Sequence, residues 1–116
     1  CEAFDNPGDG IRVQDSSGVR LFNNLVHSNG GRGIAIVGQG SGSPDAEVIH
    51  NTVARNGERG LTVGTTAAAS PRAYVRNNIL FENGVPSLPH LRVITNPRSD
   101  LGYDGDSNLV HPPNYD

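Results

Sequence analysis

At 116 residues the chain has room for one domain and no second globular unit, and with 34% hydrophobic residues, three Phe, three Tyr and neither Trp nor Met, its core must be thin layers of Val, Ile, Leu and Ala. The net charge is −3 and all nine basic residues are arginines without a basic cluster, which argues against nucleic acid as the main partner. No run of 18 apolar residues is present, so no membrane span is expected.

Fifteen glycines and many asparagines point to frequent tight turns rather than long helices. A single cysteine, Cys1, leaves no internal disulfide to form. Starting on Cys, with no basic segment leading into an apolar one, the chain reads as a piece of a longer protein or a processed product.

Taken in order, the first elements are short strands at Gly10, Ile11, Arg12 and Val13 and then at Val19, Arg20, Leu21 and Phe22. From residue 24 a repeat takes over. Asn24, Asn29 and Gly30 return as Asn51, Asn56 and Gly57 and again as Asn78, Asn83 and Gly84, a period of 51 − 24 = 78 − 51 = 27. Apolar residues alternate at period two within each segment, as in Ile34/Ile36 and Leu61/Val63, the mark of strands with one buried face. Three strands bounded by turns fit in each unit, so the chain comes back above its starting point and forms a solenoid coil.

Stacking the coils places residue i over i+27 at the ~4.8 Å spacing of paired strands. The inward rows are then Ile11/Ile34/Leu61, Val13/Ile36/Val63, Val19/Ala46/Ala73, Leu21/Val48/Val75 and Val26/Val53/Leu80, all aliphatic. Asn24/Asn51/Asn78 and Asn6/Asn29/Asn56/Asn83 are expected to form asparagine ladders at two corners, each amide bonding a turn and its neighbour one coil away. The first unit is four residues short at the loop after Asp15, so loop length is expected to vary at one corner only. Beyond Gly84 the register blurs at residues 85–89, a strand is still expected from Leu91 to Ile94, and Asn108, Leu109 and Val110 echo Asn78, Ile79 and Leu80 as a fourth, irregular coil. The tail after His111 is expected to be turn or coil. The whole, residues 1–116, is one domain, with regular coils over 6–84 and an irregular remainder over 85–116.

The pattern Asn-Asn-x-aliphatic-x-x-Asn-Gly-x-x-Gly-aliphatic-x-aliphatic, carried by residues 23–36 and in part by 77–84, resembles the repeat of right-handed parallel β-helix proteins of the pectate-lyase-like superfamily. The resemblance covers roughly residues 6–84. It implies an all-β fold, a right-handed single-stranded parallel β-helix of about four coils of ~27 residues. It also implies a secreted setting (extracellular, cell-surface or periplasmic) and a carbohydrate role, which makes an acidic polysaccharide the expected partner. A uronan lyase or C5-epimerase, and a structural self-association module without ligand, are the alternatives.

Catalytic residues are not apparent. The paired aspartates, Gly-His-Gly and Arg-x-Lys of the family's galacturonan hydrolases are absent, and no carboxylate pair assembles for inverting hydrolysis. For ligand binding, the outer positions of the Gly-aliphatic strand are Arg12, Ala35 and Thr62, bordered by Asp9, Arg32 and Arg59 at the preceding turn. Arg12, Arg32 and Arg59, with Glu58 beside them, would edge a groove floored by small residues, able to hold a uronic-acid chain by charge-assisted bonds. The same charges also read as ordinary solvated ones. No cofactor is evident. No metal site is expected from the histidines, since His27 and His50 fall in different rows and His90 and His111 in the irregular region. Asp104, Asp106 and Asn108 alternate as Ca²⁺ ligands do, so Ca²⁺ stays open, but the glycine and closing glutamate of such a loop are missing and a solvated turn is the plainer reading. Arg20 over Glu47 and Arg55 over Glu82 read as cross-strand pairs. Outward Phe22, Ile49, Leu25, Ile79 and Phe81, together with the open coil ends, suggest self-association.

Overall fold

The structure, a computed structural model, describes residues 1–84, 90–93 and 99–111. The break expected at 85–89, Ile94 and the tail after His111 lie outside the described residues. After β1 (Glu2–Phe4), the strands come in threes: β2 (Ile11–Gln14), β3 (Arg20–Phe22) and β4 (Leu25–His27), then β5 (Ile34–Val37), β6 (Glu47–Ile49) and β7 (Thr52–Ala54). They continue as β8 (Leu61–Val63), β9 (Tyr74–Arg76) and β10 (Ile79–Phe81), and as β11 (Leu91–Val93), β12 (Asp104–Asp106) and β13 (Leu109–His111).

Each strand pairs in parallel with its counterpart one coil away. The result is three sheets: sheet I in the order β2-β5-β8-β11, sheet II in the order β3-β6-β9-β12 and sheet III in the order β1-β4-β7-β10-β13. Along sheet I the step is 34 − 11 = 23, then 61 − 34 = 27, then 91 − 61 = 30 residues. The expected inward rows all form, and their central members, such as Ile34, Ile36, Val53, Leu61, Val63 and Val75, are fully buried.

The fourth coil is in register, with Leu91 over Leu61 and Val110 over Leu80. Its core differs in one place. Gly105 follows Leu21, Val48 and Val75 in one row, while Tyr103 stands beyond Val19, Ala46 and Ala73 in the next. A Cβ at Gly105 would lie 2.6 Å from the Tyr103 ring, so the missing side chain makes room for the large one, and the two rows exchange volume. Loop length varies at two corners rather than one. The loop after β2 is short, as expected, and nine residues lie between Phe81 and Leu91 where six lie between Ala54 and Leu61. A solenoid tolerates the extra length because the strands on either side still find their parallel partners.

Ladders hold the corners. Along Asn24, Asn51, Asn78 and Asn108, the backbone N–H and side-chain amide of each donate to Oδ1 of the next at 2.9–3.0 Å. Along Asn6, Asn29, Asn56 and Asn83 the same bonds run at 2.7–3.1 Å. There the final acceptor is His90 Nδ1, which takes the Asn83 N–H at 3.2 Å. A third ladder was not foreseen: the N–H of Ser16, Ser43 and Ser70 each donates to the next serine hydroxyl, ending at Ser99, at 3.2, 2.9 and 2.8 Å.

Immediately before the asparagines the backbone turns left-handed at Asn23, His50, Asn77 and Ser107 and at Asp5, Ser28, Arg55 and Glu82, with φ of 50–57°. Such residues cost on the order of 1 kcal/mol each, a strain the ladder bonds offset. Glycine is required at the opposite side of the Asn29 corner. A Cβ on Gly33 would lie 2.7 Å from the Gly60 carbonyl and 2.8 Å from the Asn56 amide.

Candidate functional site

The candidate residues lie on and beside the outer face of sheet I. In each outward position of a strand the side chain stands over its counterpart one coil away, so one row reads Arg12, Ala35, Thr62 and Arg92. The turn before the strand stacks Asp9, Arg32 and Arg59 in a second row, because the N–H of Gly10 and of Gly33 each bonds the carbonyl one coil on, of Arg32 and Arg59.

Asp9 ties the first two coils together. Its Oδ1 accepts from the Arg32 backbone N–H at 2.9 Å and from Arg32 Nε at 3.0 Å, and its Oδ2 accepts from Arg32 Nη2 at 2.9 Å and Arg12 Nη1 at 3.2 Å. Arg12 Nε donates to Gln14 at 2.9 Å. Burial works to raise the Asp9 pKa, but the hydrogen bonds and charge of Arg32, helped by Arg12, outweigh it and hold the carboxyl below its ordinary value. Asp9 thus fixes two guanidinium groups by charge-assisted bonds.

The expected groove changes in one respect. Its floor is closed: Ala35 is 0% and Thr62 4% exposed. Alternation sets the direction in which a side chain points, so an outward position need not be an exposed one. Thr62 Oγ1 has no hydrogen-bond partner among the described residues. What faces solvent is the arginine rim, with Arg12 exposed and Arg32, Arg59 and Arg92 partly so. Glu58 is brought close but not onto the face. It stacks after Gly8 and Gly31 in the neighbouring turn row, where its N–H bonds the Gly31 carbonyl at 3.0 Å, and its side chain is exposed. Arg92 was missed, although Leu91-Arg92-Val93 repeats the aliphatic-Arg-Val of Ile11-Arg12-Val13.

Elsewhere the polar residues pair among themselves. Arg20 meets Glu47 at 3.3 Å and Arg55 meets Glu82 at 3.1 Å, as expected, and Arg72 to Asp45 (2.6 Å) and Arg76 to Asp104 (2.9 Å) follow the same pattern. The spacing of Asp104, Asp106 and Asn108 does not converge. Two of them lie in strand β12 rather than a turn, and Asn108 points inward to receive Asn78. Asp15 is wrapped by the N–H groups of residues 39–42, with the Gly40 bond foremost in holding its pKa below the ordinary value against the opposing effect of burial.

Three parallel sheets wound as successive coils, with stacked asparagines at the corners, define a parallel β-helix. The chain belongs to the family described as the right handed beta helix region, whose model matches residues 1–80. The matched span includes Arg12, Arg32, Glu58 and Arg59, and the family gives the hand and the fold but no reaction. No match was found among curated proteins or among solved structures.

Proposed function

We propose that this β-helix is a binding module for acidic polysaccharide, part of a secreted or surface carbohydrate-active protein, and that the chain lies along the outer face of sheet I. The observation that carries the reading is charge segregation. Arg12, Arg32, Arg59 and Arg92 share this region with Asp9 and Glu58, a local charge of 4 − 2 = +2, in a chain whose net charge is −3, so the remainder carries −3 − 2 = −5. Guanidinium rims suit carboxylates, which they can bind through two parallel hydrogen bonds. Arg12 and Arg92 stand three coils apart in one row, about 14 Å by strand spacing, a distance a uronate oligomer of a few sugars spans, and Arg32 and Arg59 stand one coil apart in the next row.

Titration calorimetry with oligogalacturonate and oligomannuronate tests the reading. Binding is expected to weaken steeply with added salt, to be insensitive to EDTA, and to fall about tenfold in an Arg12→Ala, Arg92→Ala double variant. Equal binding of a neutral oligosaccharide, or no heat at millimolar uronate, would overturn it. Release of an unsaturated product would move the reading to a lyase.

A further inference from the structure

Sheet III, which the proposed binding face leaves unused, carries a second ordered surface. Its outward positions form two rows: Glu2, Leu25, Thr52, Ile79 and Leu109, and Phe4, His27, Ala54, Phe81 and His111. In the second row the rings stack in pairs, Phe4 on His27 with centroids 5.3 Å apart and Phe81 on His111 at 5.5 Å, and Ala54 separates the pairs. Of the six exposed large hydrophobics among the described residues, Phe4, Leu25, Ile79 and Leu109 stand on this face and Phe22 adjoins Leu25 across the two-residue corner; only Leu101 lies apart. Five of the six exposed large hydrophobics among the described residues therefore lie on or beside one face, the kind of clustering that marks an interface.

We propose that this face binds a second copy of the chain about a two-fold axis running along β7. The order of residues is what selects that occupant. Turned about such an axis, Thr52 and Ala54, the smallest side chains of their rows, meet their own copies and let the sheets approach. Leu25 then faces Ile79 of the other copy, each phenyl faces an imidazole, Phe4 opposite His111 and His27 opposite Phe81, and Glu2, tied to His27 Nε2 at 2.9 Å, lies at the edge of the face opposite Leu109. The interface is isologous and the pairing closes at two chains. Two sheets packed this way lie about 10 Å apart. The face is roughly 24 by 10 Å, from five strands at ~4.8 Å and three residues at ~3.3 Å. That is below the ~800 Å² per partner of a standard stable interface, so the dimer is a weak one. It would leave sheet I of each copy outward.

Cross-linking in a Cys1→Ser background tests the geometry. Ala54→Cys is expected to form a disulfide dimer under mild oxidation at least tenfold faster than Ser41→Cys, which is exposed at a different corner. A mixture of Phe4→Cys and His111→Cys is expected to cross-link while each alone does not. Leu25→Asp, on the surface, is expected to turn the sedimenting dimer into monomer with an unchanged circular dichroism spectrum. A wild-type chain that stays monomeric at millimolar concentration would overturn the proposal. So would an Ala54→Cys rate equal to the control, or cross-linking of Thr52→Cys with Ala54→Cys in preference to Ala54→Cys with itself.

Discussion

Asn56 shows how much one residue carries in this fold. Its Oδ1 accepts both the backbone N–H and the amide of Asn29, and its amide donates to Asn83 Oδ1 at 2.7 Å and to the Val26 carbonyl at 3.2 Å, all out of water. Removing it strands buried donors and acceptors on both neighbouring coils. Asn56→Ala is therefore expected to cost about 3 kcal/mol in urea unfolding, whereas Asn24→Ala, at the half-buried start of its ladder, is expected to cost about 1 kcal/mol. Tyr103 presents the opposite case. Its hydroxyl is buried without a partner among the described residues, and burial, with Asp104 adding to it, pushes its pKa up to about 12. The neutral phenol is the form the fold prefers, so its contribution is fully present below the ordinary value of 10.0 and is lost as pH rises from there toward 12. Tyr103→Phe is expected to gain about 1 kcal/mol at neutral pH and to flatten alkaline unfolding. Asp9 works with the reverse sign. Its lowered pKa gives stability that is present above the ordinary 3.8 and is lost as pH falls through the lower folded value, so Asp9→Asn should reduce the slope of acid unfolding.

Strands of three or four residues have little stability alone, and what makes each of them persist is the strand above and below plus a ladder at the corner. The Gly10, Gly33 and Gly60 row belongs to that arrangement. Gly33→Ala is expected to destabilise by at least 2 kcal/mol, because its methyl group would meet the backbone of Gly60 and the Asn56 amide, and neither can move without breaking a rung; thermal unfolding would check this. Much of this level was legible in advance, since a solenoid maps fixed spacing in the chain onto contact in space. The aliphatic rows and both asparagine ladders could be read from the 27-residue period. The serine ladder carried the same mark at Ser16, Ser43 and Ser70 but ends at Ser99, two residues late. The left-handed corners were not legible, because residues as different as Asp5, Ser28, Arg55 and Glu82 fill one of them and the ladder, not the side chain, enforces the turn. Nor was the closed floor at Ala35 and Thr62, since alternation tells which way a side chain points and not what shades it.

For the molecule as a whole, the three sheets divide the surface by character. Sheet I collects arginines at its outer edge, sheet II carries paired charges such as Arg20 with Glu47 and Arg76 with Asp104, and sheet III carries most of the exposed large hydrophobics among the described residues. A net-acidic chain that binds an acidic polymer must do so where its field is locally reversed, and steering by that face should be lost at high ionic strength. The proposed binding belongs to this one face. Amide chemical-shift mapping with a uronate oligomer tests it most directly. The perturbations are expected on β2, β5, β8 and β11 and on the turn from Asp9 to Arg12 with its stacked equivalents, fading as salt is raised. Shifts confined to sheet II or sheet III, or none at saturating oligomer, would contradict it.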